Sequence, residues 1–60
     1  MSLTTKELGF IEDAIKVETL CAKKLEVFRR DVREPELERL VEDCIESCHR
    51  NVDMLLRETR

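Results

Sequence analysis

Chemistry in this chain would have to come from few side chains: Cys21, Cys44 and Cys48, the single histidine His49, the carboxylate of Glu18 and the amide of Asn51. Cys44 and Cys48 are four residues apart, so on a helix they share one face. Two thiolates with the Glu18 carboxylate, and Cys21 as a fourth ligand, would form a donor set suited to Zn²⁺. The spacing is not the Cys-x-x-Cys pair of a structural zinc site. Cys21 could instead close a redox disulfide with Cys44 or Cys48, although no nearby histidine or helix N-terminus is placed to lower their pKa. The third reading is structural. Glu18 hydrogen-bonds Asn51, within the hairpin or between two copies, and the thiols behave as small apolar groups.

Whichever reading holds, helices must position these residues. Thr4-x-x-Glu7 fits a capping box, with Leu3 and Leu8 spaced for a hydrophobic staple around it. From Thr5 to about Arg30 only Gly9 weakens the helix, by about 1 kcal/mol relative to alanine. Lys23, Lys24, Arg29, Arg30 and Arg33 gather at its end, where cations complement the helix dipole. Residues 31–34 make a short connection, and Pro35 fits the first position of a second helix. Glu34, Glu36 and Glu38 lie around the start of that helix, which runs to about Arg57 and closes with Arg50, Arg57 and Arg60. The expectation is one all-α, antiparallel two-helix hairpin.

On a helical wheel the apolar residues of each helix spread over about half the circumference. Helix one contributes Leu8, Ile11, Ala14, Ile15, Cys21, Ala22, Leu25, Phe28 and Val32. Helix two contributes Leu37, Leu40, Val41, Cys44, Ile45, Cys48, Val52 and Leu55. One partner helix cannot cover faces that wide, which predicts self-association, as a dimer or higher, into a four-helix bundle. Along the narrower seam Glu18 and Asn51 interrupt the apolar run, with Arg29 nearer the end. A turn centred near Arg33 sets Glu18 level with Cys48 and Asn51, with Cys21 and Cys44 within about one turn of that level. Glu18, Cys48 and Asn51 are thus expected to form a buried polar layer.

Glu46-x-x-His49 has the spacing of one half of a carboxylate-bridged di-iron site. The wheel points Glu46 almost opposite the apolar stripe and puts His49 at its edge, so His49 reads as a surface residue. The mid-face Glu18, the short turn before Pro35-Glu36-Leu37 and the second amphipathic helix resemble half of a ferritin-like bundle. The closest resemblance is to two-helix ferritin-like proteins and to coat-F-type spore coat proteins, over roughly Leu8 to Arg57. In the iron-binding relatives, helix two supplies Glu-x-x-His facing the first-helix glutamate. Aligned through Pro35-Glu36-Leu37, those positions fall on Cys48 and Asn51, which leaves Glu18 alone of three ligands. The resemblance therefore implies a degenerate metal site, and its coat-F branch implies a structural, sporulation-associated role.

Composition sets the outer bounds. Sixty residues, 42% hydrophobic and 42% charged, with one glycine, one proline and two aromatics, exclude large enzymes and repeat arrays and favour helix over strand. The net charge of −3 argues against binding to nucleic acid, no apolar run reaches the roughly 18 residues of a membrane span, and without a basic n-region before an apolar h-region no secretory signal is expected. An odd number of cysteines without an export signal points to reduced thiols in the cytoplasm. A single glycine excludes glycine-rich phosphate loops, and one histidine with no exposed Ser–His–Asp set argues against a hydrolytic triad. The expected function is a small structural or interaction protein without enzymatic activity or a cofactor. The alternative is a ferritin-like zinc or iron protein built on Glu18 and the cysteines.

Overall fold

The computed structural model describes residues 3–59 as two antiparallel helices, α1 (Thr5–Arg29) and α2 (Pro35–Glu58). The hairpin measures 46 × 15 × 11 Å, one helix layer thick. Helix α1 ends one residue earlier, and α2 one residue later, than the sequence suggests. Met1, Ser2 and Arg60 lie outside the described residues, so the expected place of Arg60 at the end of helix two is not addressed.

Helix α1 begins where the capping box puts it. Thr4 is extended, the Glu7 N–H donates to Thr4 Oγ1 at 3.1 Å, and the Thr4 N–H donates to Glu7 Oε1 at 3.0 Å. Two N–H groups that the helix cannot satisfy are thereby paired. The bonds from Thr4 favour the charged carboxylate and hold Glu7 below its ordinary pKa, the backbone bond most of all. The staple closes less fully. Leu3 is half-buried, and Leu8 remains 37% exposed.

The turn needs no glycine, and no described residue has positive φ. Its N–H groups reach back three residues, Arg30 to Val27, Asp31 to Phe28 and Val32 to Arg29, at 3.0–3.2 Å. This tightens the last turn of α1 and satisfies its terminal carbonyls. Helix α2 starts without a side-chain cap on Glu34 and relies on Pro35, whose fixed φ suits the first helical position.

Val32, Val41 and Ile45 form the core at the turn end of the hairpin, with Leu25 packed against them. Ala22 and Cys48 extend this buried line, and the half-buried Ile11, Ile15, Val52 and Leu55 continue it more loosely towards the open end. Among the described residues no side chain is sealed completely from solvent. Several residues expected on the apolar faces lie outside this core: Cys21, Phe28, Leu40 and Cys44 are exposed, as are the edges of Leu8 and Leu37. The physical reason is width, because a single neighbouring helix covers only the centre of each stripe. Arg29 likewise leaves the seam and reaches Glu42 of α2 at 4.0 Å, with both side chains about half exposed.

Candidate functional site

The chemically distinctive residues gather midway along the hairpin. Helix α1 brings Glu18 and Cys21, and α2 brings Cys44, Cys48 and Asn51. The Asn51 Nδ2 donates to Glu18 Oε2 at 2.9 Å, and both side chains are half-buried. It is the one side-chain hydrogen bond joining α1 to α2 among the described residues. Glu18 therefore has a partner at the point where the apolar seam is interrupted, and no buried side-chain polar atom is left unpaired among the described residues. A carboxylate in such a place is costly unless it is hydrogen-bonded.

The three thiols divide by environment. Cys48 is buried, while Cys21 and Cys44 are exposed, and all three are unpaired. Burial pushes the Cys48 thiol above its ordinary pKa, and the neighbouring Cys21, Glu18 and Cys44 act in the same direction. Cys48 is therefore a protonated, poorly nucleophilic thiol at neutral pH. For metal binding, a site needs at least three donors converging. Among the described residues no group of three or more His, Cys, Asp or Glu side chains does so. One hairpin thus does not assemble Glu18, Cys21, Cys44 and Cys48 into a ligand set.

Glu46 and His49 engage different partners. Glu46 accepts from Arg50 at 3.0 Å, one helical turn on. His49 Nε2 lies 3.8 Å from Glu26 Oε1 on α1. This cross-hairpin pair was not anticipated from the local spacing, because it depends on the register between the helices. Together with Arg29–Glu42 it lines one edge of the interhelical seam with exposed charge.

The opposite edge is apolar and open. A groove of about 480 Å³ runs there between Ala14, Val17 and Glu18 of α1 and Asn51, Met54, Leu55 and Glu58 of α2. Val17 and Met54 are both more than half exposed. The same face continues along each helix at heptad spacing. On α1 it reads Phe10, Ala14, Val17, Cys21, Lys24, Phe28, alternating four and three residues apart. On α2 it reads Leu37, Leu40, Cys44, Ser47, Asn51, Met54. Phe10, packed under Lys6 at 5.9 Å, is 63% exposed, and Phe28 is half exposed. The seam facing the other helix dominated the sequence pattern. The second 4-3 series is offset from the first by about a third of a turn, and its Ala14, Cys21, Phe28, Leu40 and Cys44 fall within the broad apolar faces read from the sequence.

Compared with protein-family models, curated proteins and solved structures, the chain has no match in any of the three. Of the expected ferritin-like or coat-F-type resemblance, the structure shows the antiparallel two-helix hairpin and no family match supports the rest.

Proposed function

We propose that the chain is a structural and interaction module whose working form is a four-helix bundle built from two or more copies of the hairpin. The observation that carries this reading is the mismatch between the surface exposed and the size of the chain. The hairpin exposes 5147 Å², whereas a compact monomer of 7.1 kDa exposes about 4,100 Å². The excess of about 1,000 Å² per copy is close to the roughly 800 Å² that each partner loses in a standard specific interface. A layer of helices 11 Å thick also has no second layer to close its core. A further hairpin supplies one.

In this reading the Glu18–Asn51 pair sets register, and neither residue is a catalyst. The resemblance to coat-F-type proteins suggests assembly into a spore coat, with the chain made and kept reduced in the cytoplasm. Native mass spectrometry of the untagged, reduced protein, purified without chelator, tests the proposal. A metal-free dimer or tetramer is expected. A stable monomer at high micromolar concentration would overturn it, and stoichiometric zinc or iron would move the assignment to the ferritin-like metal protein.

A further inference from the structure

Self-association leaves open which face is used and how the copies are oriented, and the charge order along α2 bears on both. Glu36, Asp43, Arg50 and Arg57 are spaced seven apart and so follow one rim of that helix. Glu36 borders Leu40 at the turn end. Arg50 and Arg57 border Asn51 and Met54 at the open end, with Asp53 beside them, and Arg50 also bonds Glu46 of its own helix at 3.0 Å. This series reads acid, acid, base, base alongside the exposed apolar face, with Arg39, Glu46 and Asp53 on the row outside it. Such an order is its own complement only when a second copy runs the opposite way.

We infer that two hairpins dock through the open apolar face with their turns at opposite ends, α2 lying antiparallel on the partner's α2 and α1 on the partner's α1. This rests on the self-association proposed above. In that arrangement Glu36 meets Arg57 of the partner subunit, and Asp43 meets Arg50 of the partner subunit. Both pairs share one centre, between Glu46 and Ser47, so a single register satisfies both. The Glu18–Asn51 bond carries that centre across the hairpin to a point between Ala22 and Lys23.

The same register fits the shape of the face. It sets Phe28 level with Val17 of the partner subunit, and Leu40 within one residue of the partner's Met54. Phe28 and Leu40 are the bulky exposed residues of the turn end, and Val17 and Met54 line the groove at the open end. Each copy's bulge therefore covers the other's hollow. With turns at the same end, groove would face groove. The α2 rim would then run along α1, where the outer seven-residue series reads Lys6, Asp13, Leu20, Val27 and offers charge at one end only. A symmetric, isologous contact also closes the assembly and leaves no open end for growth.

Charge exchange tests the arrangement. The double variants Glu36→Arg/Asp43→Arg and Arg50→Glu/Arg57→Glu each give the α2 rim a single sign. Each alone is expected to weaken self-association by about tenfold or more at low salt. Mixed one to one, they are expected to form a heterodimer at least as tight as the wild type. A spin label at residue 33, introduced as Arg33→Cys in a cysteine-free background, reads orientation separately. With opposed turns the two labels lie about 40 Å apart, and with turns at the same end under about 20 Å. The longer distance and heterodimer preference support the inference. A wild-type dimer with the shorter distance, or with no heterodimer preference, overturns this orientation while leaving self-association intact. A wild-type monomer overturns both.

Discussion

At the scale of single residues, the Glu18–Asn51 bond and the Cys48 thiol have opposite sensitivities. Asn51→Ala takes away the side chain that pairs Glu18 across the hairpin, and an expected loss of about 1–3 kcal/mol would register in urea unfolding. Glu18→Gln keeps an oxygen that accepts from Asn51, so stability should hold or rise. A fall as large as that of Asn51→Ala would argue for a role of the charge itself. Cys48 behaves as a buried acid whose folded pKa is raised. Its contribution to stability is fully present below the ordinary thiol pKa and is lost as pH rises through the higher folded value. Timed alkylation at neutral pH should therefore modify Cys48 last, at every protein concentration. Cys21 and Cys44 lie on the proposed docking face, so their protection should grow with concentration and vanish on dilution.

At the scale of the helix, the capping box and Pro35 show why the elements were legible in advance. Each is a local signal, complete within four residues, and each acts through backbone groups that any tertiary context must satisfy. Thr4→Ala should cost about 1 kcal/mol and move the Glu7 titration, followed by NMR, only part of the way back to higher pH, because the Thr4 backbone N–H that lowers it most is retained. Because the folded Glu7 pKa is depressed, its contribution is present above the ordinary carboxylate value and is lost as pH falls through the lower folded one. The start of α1 should fray in acid before the turn end does. What the sequence left hidden is relational. Glu26–His49 and Arg29–Glu42 depend on how the helices slide past each other. The wheel could show that α1 is apolar on more than one side, but not which side α2 would take. The same limit applies to the candidate site, where the level of Glu18 and Asn51 followed from the turn position, while the outward placement of Cys21 and Cys44 did not.

At the scale of the whole molecule, the five buried hydrophobic residues among the described residues 3–59 make too small a core to hold two long helices. Stability should therefore depend on protein concentration, as it does when subunits fold and associate together. Melting followed by circular dichroism from about 5 to 500 µM is expected to show a rising Tm, whereas a constant Tm would mean that the hairpin stands alone. The buried cluster of Val32, Val41 and Ile45 sits at the turn, so packing decreases along the 46 Å length. In hydrogen exchange, such a gradient makes the hairpin a pair of tweezers: amides beside the turn open only with the whole molecule, and those at the free tips open locally. Two such tweezers laid head to tail would clamp each other's tips, and the slow-exchanging region would then lengthen towards both ends as the copies engage.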